Sequence, residues 1–146
     1  MNGSQRTARP LPRVDCAAYR AIAAMLFAFC GSAAADWTPL AADNGIYSAY
    51  ADSSTIRKQG DIVSMHGMYD FTRGDSTPDG QGYFSTTVLR EYDCRNRRVR
   101  LISHADHAEH FAAGRVVQAA HRPRPWQGIV DGSVDDAFWK LACRES

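Results

Sequence analysis

The chain has 146 residues, of which 45% are hydrophobic and 23% are charged, and its formal net charge at pH 7 is +1. A chain of this size can bury the modest core of one domain. Its near-neutral charge gives no indication of binding to nucleic acid or to an anionic membrane.

The first 35 residues have the composition of a secretory signal peptide. Residues 1–20 carry four arginines and one acidic residue, an apolar run follows them, and small residues follow the run. The run is shorter than the roughly 20 residues that a membrane span needs. We therefore predict a Sec signal peptide over residues 1–35, cleaved between Ala35 and Asp36, and a single domain over residues 36–146.

The kind of signal peptide limits where the protein can go. In a lipoprotein signal a small residue stands directly before the modified cysteine, whereas Phe29 precedes Cys30 here. A twin-arginine signal needs adjacent arginines before the apolar run, and the sequence has none there. We therefore expect ordinary Sec export to the periplasm or the medium, without a lipoprotein anchor and without stable membrane insertion after cleavage. Display on the outer-membrane surface stays open.

Residues 46–51 mix aromatic and small side chains, which is typical of a strand. Asp52 and the two serines after it favour a brief helical turn, which Gly60 would close. Residues 61–71 then alternate between apolar and polar side chains, as a half-buried strand does. The side chains expected to share one face are Val63, Met65, Gly67, Tyr69 and Phe71.

A long polar turn over residues 73–82 leads to a strand over residues 83–93, which is rich in threonine, tyrosine and valine. A tight cationic turn follows at residues 95–98, and residues 99–104 run back from it as the next strand. The pattern of residues 107–114 is ambiguous and is compatible with one helical turn.

A further strand is predicted over residues 115–120. The proline-containing residues 121–125 predict an extended connection, because proline cannot continue a ladder of strand hydrogen bonds. Short turns between the strands indicate antiparallel pairing.

The chain ends in a predicted helix. Ser133 and, three residues later, Asp136 resemble a capping box with aspartate in place of the usual glutamate. Val134, Phe138 and Leu141 then fall on one apolar stripe of a helix. Strands followed by one helix predict the α+β class, with this helix packed on an antiparallel sheet.

Two cysteines remain once the signal peptide is removed, Cys94 at the end of a strand and Cys143 at the end of the helix. In an exported protein such a pair favours a disulfide over free thiols. A metal site is not indicated, because neither residue has a Cys-x-x-Cys neighbour. The bridge would close about 49 residues and contribute roughly 4 kcal/mol in the chain-entropy model.

The histidines His104, His107 and His110 are spaced three residues apart. On a helix they would spread over roughly 120° and could converge on one ion, whereas on a strand His104 and His107 would point to opposite faces. The spacing matches neither of the two zinc-protease motifs. The sequence favours three solvated histidines, with a metal or haem site as the alternative.

The densest positive patch consists of Arg95, Arg97, Arg98 and Arg100. On a strand Arg98 and Arg100 share a face, so the patch would suit an acidic partner or a sulfated polysaccharide. The interpretation that we favour is a charged turn and edge that keep the sheet from pairing with neighbouring chains. The patch has no interleaved aromatic residues, which argues against single-stranded nucleic acid.

Motifs for catalysis are absent from the sequence. There is no Gly-x-Ser-x-Gly elbow, no phosphate-binding glycine loop, and no free cysteine once Cys94 and Cys143 are paired. We therefore expect a protein that is not an enzyme and needs no cofactor.

An ordered set of residues runs through the chain from residue 37 to residue 143. It comprises Trp37, Tyr50-Ala-Asp52-Ser-Ser54, the strand over residues 61–71, Phe84-Ser85, Asp93-Cys94, Arg98, Arg100-Leu101, Gly114, Val116-Val117, Trp126, Gly132-Ser133 and Cys143. This set resembles the bacterial surface-adhesin protein E family. The resemblance implies an antiparallel sheet of about six strands with a C-terminal helix tied to it by the disulfide. It also implies a non-catalytic binding module for host extracellular-matrix or plasma proteins.

The sequence departs from the adhesin pattern in one respect, because it has no lipoprotein cysteine to tether it to the outer membrane. Two other functions stay open. One is a periplasmic metal- or haem-binding protein that uses His104, His107 and His110. The other is a structural or assembly protein that forms a homodimer through an exposed sheet edge.

Overall fold

A computed structural model of the protein describes residues 35–40 and 45–144. Most of the predicted signal peptide, residues 1–34, lies outside the described residues. From Ala35 onward the chain forms one compact unit. None of the helices in the described part has the length and apolar character needed to cross a membrane.

The described residues form an antiparallel sheet and a C-terminal helix. The elements are β1 (Thr38–Pro39), β2 (Tyr47–Gln59), β3 (Ile62–Ser76), β4 (Gly82–Asp93), β5 (Arg98–His107), β6 (Val116–His121), β7 (Gln127–Gly128) and α1 (Val134–Arg144). Strands β1 to β6 lie in sequence order, and the two-residue β7 pairs with β5 on the same edge as β6. The predicted α+β class, with about six antiparallel strands and one C-terminal helix, is confirmed.

The predicted helical turn after Asp52 is wrong, because β2 continues as a strand to Gln59. Oδ1 of Asp52 accepts hydrogen bonds from the amide and the hydroxyl of Ser54 at 3.1 and 2.5 Å, which bends the backbone within the strand. The register between β2 and β3 shifts at this point, as in a β-bulge. The hydroxyl of Thr55 reconnects the two strands by accepting a hydrogen bond from the His66 amide at 3.0 Å.

The polar turn between β3 and β4 is shorter than predicted. After a register shift between Asp70 and Asp75, β3 pairs with β4 again and continues to Ser76. The turn itself needs only the residues from Thr77 to Gln81, where the amide of Thr77 donates to the carbonyl of Gln81 at 2.9 Å.

The predicted helical turn over residues 107–114 is also wrong. β5 extends further than expected, and a tight turn follows in which Phe111 and Ala112 adopt left-handed backbone angles, with φ of 54° and 59°. The amide of Ala108 donates to the carbonyl of Arg115 at 3.0 Å, which continues the ladder toward β6. Because left-handed angles are costly outside glycine, contacts with the sheet have to hold this turn.

The core lies between one face of the sheet and α1. Strand alternation places Val63 and Met65 on this face, and both are fully buried. Phe138 and Ala142 of α1 belong to the same buried cluster. The helix packs chiefly on β2, β3 and β4, so it covers only part of the sheet.

Gly67 marks a very close approach of α1 to the sheet. A Cβ atom at this position would lie 2.6 Å from Cε1 of Phe138, far inside van der Waals contact. The missing side chain therefore provides the space that the Phe138 ring occupies.

The start of α1 resembles the predicted capping box. Oγ of Ser133 accepts a hydrogen bond from the Asp136 amide at 3.2 Å, as expected. The Asp136 carboxylate accepts one from the amide of Gly132 at 3.0 Å, one residue before the usual partner. The same buried carboxylate pairs with Lys140 at 2.8 Å, so the first turn of the helix is held by hydrogen bonds and by charge.

A disulfide between Cys94 and Cys143 ties the end of α1 to the residue that follows β4, as the sequence predicts. Next to it, the indole N–H of Trp139 donates to the carbonyl of Asp93 at 3.3 Å. The last turns of the helix are therefore attached to the sheet both covalently and by a side chain.

We expect Cys143→Ser to lower the melting temperature, because packing and polar contacts alone would then hold α1. The chain-entropy model sets the loss of unfolding free energy at roughly 4 kcal/mol at most. Thermal unfolding followed by circular dichroism measures the effect. Reduced wild-type protein should unfold at the temperature of the variant. Equal melting temperatures of the variant and the oxidised wild type would contradict the role of the bridge.

Gly67→Ala should destabilise the fold by about 1–3 kcal/mol, the usual cost of overpacking a core, since the new methyl group overlaps the Phe138 ring. Gly128→Ala is the matched control, because it also adds a methyl group to a strand but meets no atom within 4 Å. Urea denaturation compares the two variants. If Gly67→Ala is as stable as the control, α1 does not pack on this glycine.

Candidate functional site

The face of the sheet that carries α1 is only partly covered by the helix, and the rest forms an open groove. Two adjoining depressions of about 580 and 350 Å³ share Tyr69, Phe71 and Arg90 in their walls. Together they are named the helix-face groove. Other residues that line it are Tyr47, Tyr83, Thr86, Asp106, Gln118 and Asp135.

Four aromatic rings form one wall of the helix-face groove. Strand alternation places Tyr69 and Phe71 on the same side of β3, and Tyr47 of β2 lies directly opposite Phe71. The ring centroids of Tyr47 and Tyr69 are 5.1 Å apart, in an edge-to-face arrangement. Those of Phe71 and Tyr83 are 5.7 Å apart in a similar arrangement. Because such contacts orient the rings relative to one another, this wall is formed before any ligand binds.

A partly buried ion pair lies at the helix end of the groove. The guanidinium of Arg90 donates to Asp135, in the first turn of α1, at 2.5 Å, and the Arg90 side chain is only 17% exposed. Its Cζ atom lies 5.3 Å from the ring centroid of Tyr69 and 5.6 Å from that of Phe138. The cation is thus paired with one carboxylate and flanked by two rings, which fixes the start of α1 over the sheet.

Two tyrosine hydroxyls of the groove stay protonated far above neutral pH. Burial raises the pKa of Tyr69 to about 12, although the nearby Arg90 cation acts in the opposite direction. Burial also raises the pKa of Tyr83 to about 12, and the carboxylates of Asp75 and Asp106 add to the effect. Both hydroxyls are therefore neutral hydrogen-bonding groups at physiological pH.

A row of side chains crosses the floor of the groove from strand to strand. Tyr69 of β3 lies opposite Thr86 of β4, and Thr86 lies opposite Asp106 of β5. Asp106 in turn lies opposite Gln118 of β6. Directly opposite residues in antiparallel strands share a face, so all four belong to the groove side. The hydroxyl of Thr86 donates to Oδ1 of Asp106 at 2.7 Å, which places a carboxylate in the floor.

The three histidines considered for a metal or haem site do not converge. His104 lines the groove, whereas His107 lies on the other face, with Nε2 3.0 Å from the hydroxyl of Thr87. The physical reason is that residues three apart on a strand face opposite sides. His110 lies beyond the strand and contacts Asp70 at 3.1 Å. No group of three or more His, Cys, Asp or Glu side chains in the described residues is arranged to hold a metal ion, so a site made of these three is not supported.

The opposite face of the sheet carries the tight turn that follows β5. Oδ1 of Asp70 accepts a hydrogen bond from the Phe111 amide at 2.9 Å, and Oγ of Ser85 accepts one from the Ala112 amide at 2.9 Å. The ring of Phe111 packs edge-on against Tyr50, with centroids 5.4 Å apart. These contacts from the sheet hold the left-handed residues in place.

Every arginine of the predicted binding patch is paired with a carboxylate of the chain. The pairs are Arg95 with Asp61, Arg97 with Asp131 and Asp136, Arg98 with Asp93, and Arg100 with Glu91. The positive charges are thus balanced by neighbouring acids. This arrangement does not provide the uncompensated charge that would attract a polyanion.

The same arginines are also divided between two sides of the molecule. The Cζ atoms of Arg98 and Arg100 lie 5.6 and 4.6 Å from the ring centroid of Trp126. Arg97 instead lies over Trp139 of α1, at 5.2 Å. The cluster that looks continuous in the sequence therefore fastens two different segments to the sheet.

The helix-face groove was not predicted from the sequence, although β4 and β5 carry a signal for it. The positions of β4 and β5 on the same face as Tyr69 include Thr86, Arg90 and Asp106, where a closed core would carry aliphatic side chains. The size of the groove depends on how much of the sheet α1 covers, and no local sequence pattern determines that area.

A family model described as surface-adhesin protein E matches residues 37–144 of this chain. The matched region contains both cysteines of the disulfide and all the residues that line the helix-face groove. No curated protein sequence matches the chain.

Solved structures of Haemophilus influenzae protein E have a similar fold. Its crystal form II superimposes with a TM-score of 0.61 at 14% sequence identity, over 77% of this chain and 91% of that one. Another structure of the Haemophilus influenzae protein gives a TM-score of 0.60 at 13% identity, over 77% and 87% of the two chains. Protein E from non-typeable Haemophilus influenzae gives 0.56 at 13% identity, over 78% and 79%. At these identities the similarity shows a shared fold.

Two carboxylates near the ends of α1 should make the fold sensitive to acid. A hydrogen bond from Arg98 holds the pKa of Asp93 far below its ordinary value of 3.8, and one from Lys140 lowers the pKa of Asp136. The folded state therefore binds these protons less readily than the unfolded state. The stabilisation is complete above about pH 5 and is lost as the pH falls through the ordinary value and then the lowered pKa values. We expect urea titrations at several pH values to show that the free energy of unfolding falls in acid. The fall should be smaller in Asp136→Asn than in the wild type.

Asp61→Asn is the control for this experiment. Asp61 pairs with Arg95 at 2.8 Å, but both side chains are exposed, and exposed pairs contribute little to stability. This variant should keep the acid dependence of the wild type. If Asp136→Asn has the same acid dependence as the wild type, Asp136 does not contribute to the loss of stability in acid.

Proposed function

Because the chain belongs to the surface-adhesin protein E family, we propose that it is an exported binding module for extracellular proteins of a host. The family match supports a binding protein and not an enzyme. Extracellular-matrix or plasma proteins are the partners in this proposal, and the helix-face groove is the surface that receives them.

Export is part of the same proposal. Residues 1–35 would be the Sec signal peptide and residues 36–146 the working domain. The order of basic, apolar and small residues before Asp36 supports this division. The disulfide between Cys94 and Cys143 suits an oxidising compartment. The protein would then act in the periplasm, in the medium or at the cell surface.

The observation that carries the proposal is the preformed aromatic wall beside a partly buried cation. Tyr47, Tyr69, Phe71 and Tyr83 stand together in the groove, and Arg90 lies at its helix end. Aromatic residues and arginine dominate the binding energy of protein interfaces. A concave surface that combines them is well suited to hold a segment of another protein.

A second candidate function is self-association through β6. This strand is the last one in the order β1 to β6, and within the described residues no other strand pairs with its outer edge. Val116 at its start is exposed. An open edge of this kind can pair with a strand of a second copy, which would suit a structural or assembly role.

The groove is tested by the paired variants Phe71→Ser and Phe111→Ser. The protein is purified from cells that express the full chain, and its mass shows whether cleavage follows Ala35. Binding to mammalian plasma proteins and to basement-membrane extract is then measured on coated surfaces. Removing a ring from the groove wall should weaken binding at least about tenfold.

Phe111→Ser is the matched control, because it makes the same change on the opposite face, where the ring is exposed. It should bind as the wild type does, and circular dichroism checks that both variants are folded. A wild-type protein that binds none of these preparations refutes the proposed class of partner. Full binding by folded Phe71→Ser refutes the groove as the binding surface.

A further inference from the structure

One carboxylate of the helix-face groove is buried without a counter-charge. Asp106 is 6% exposed, and within the described residues its side chain has one hydrogen bond, which Thr86 donates to Oδ1. No Lys, Arg or His nitrogen of those residues lies within 4.0 Å of it. Of the other buried carboxylates, Asp93 and Asp136 each pair with an arginine, and Asp52 accepts two hydrogen bonds from Ser54.

The second oxygen of this carboxylate is not enclosed by the described residues. In the described part of the chain, Nε of Arg97 is the one enclosed side-chain nitrogen or oxygen without a hydrogen-bond partner. Oδ2 of Asp106 has no partner there either, so it cannot be enclosed as well. Because Asp106 lines the groove, this oxygen is available to a ligand.

Neighbouring charges do not neutralise Asp106. Arg90 lines the same depression, but its guanidinium is held 2.5 Å from Asp135. His104 lies two residues before Asp106 on the same strand and does not form an ion pair with it. A buried carboxylate is costly for the fold unless a cation pairs with it, and the cation is missing here.

Aromatic rings beside the carboxylate add a second preference for a cation. Tyr69, Phe71 and Tyr83 line the same depression of about 350 Å³ as Asp106. The faces of such rings attract ammonium and guanidinium groups. The methylene stem of a lysine or arginine gains apolar contact when it lies along them.

We propose that the helix-face groove receives a lysine or arginine side chain of the bound protein, with the cationic head group against Asp106 and the stem along the aromatic rings. The identity of the partner rests on the proposed function, whereas the preference for a cation rests on the groove itself. Binding supplies the counter-charge that the fold lacks, and the cost of burying the carboxylate is recovered in the complex.

Nα-acetylarginine amide and its citrulline analogue, which has nearly the same shape without the charge, test the preference. Nuclear magnetic resonance should show saturable shifts at Tyr83 and Gln118. The wild type should bind the arginine amide at least about tenfold more tightly than it binds the citrulline analogue. In Asp106→Asn this preference should disappear, because asparagine removes the charge but keeps an oxygen for Thr86. Asp52→Asn, which changes a buried carboxylate outside the groove, should retain it.

Stability separates a binding role of Asp106 from a structural one. A carboxylate that is buried without a counter-charge destabilises the unliganded protein, so Asp106→Asn should melt at the same or a higher temperature than the wild type. A lower melting temperature would show that the fold itself needs the charge and would overturn the proposal. Equal affinity of the wild type for the two amides would overturn it as well.

Binding to host proteins shows which of the two proposals fails. If Asp106→Asn keeps full affinity for a protein that Phe71→Ser no longer binds, the groove is the binding surface but no basic side chain enters it. The inference then fails alone. If the wild type binds no host protein and still prefers the arginine amide, the proposed function fails and the cation site stands.

Discussion

Attachments at both ends of α1 determine where the helix lies and, through it, where the sheet stays open. Cys143 is bonded to Cys94 at one end, and Asp135 is paired with Arg90 at the other. A helix of 11 residues is about 16 Å long, whereas a strand rises about 3.3 Å per residue. Since β3 has 15 residues, α1 cannot cover its full length. The groove is the part of the same face that the helix does not reach.

The features predicted correctly from the sequence depend on local patterns of side chains or on the small number of cysteines. The alternation from Val63 to Phe71 placed a strand, and the stripe from Val134 to Leu141 placed the helix. The pairing of two cysteines left little choice of partner. The errors after Asp52 and over residues 107–114 arise where side chains decide the path of the backbone. At Asp52 the bonds to Ser54 produce a bulge, and the later turn depends on distant residues of β3 and β4.

The arginine cluster shows why a dense local charge is a poor guide to a binding site. Arg97 pairs with Asp131 and Asp136, which follow it by 34 and 39 positions in the chain. The residues adjacent to Arg97 in the sequence give no indication of these partners. Arg98 and Arg100 in turn lie against Trp126. Once these partners are known, the cations account for how the C-terminal third of the chain is attached to the sheet. The residues that line the groove, in contrast, do not form a run of charged residues in the sequence.

The helix-facing surface of the sheet therefore has two parts with different physical demands. Where Phe138 covers it, the inward positions are apolar, as at Met65, or empty, as at Gly67, and the cation beside the ring, Arg90, is paired with Asp135. Beyond the helix, inward positions carry Thr86, Asp106 and Gln118, and an apolar residue in place of the buried carboxylate would cost the fold less. A domain that is stabilised by a disulfide and by the buried Phe138 ring can tolerate the buried carboxylate. Polar residues that break an otherwise consistent core pattern are therefore the positions where a function is best sought.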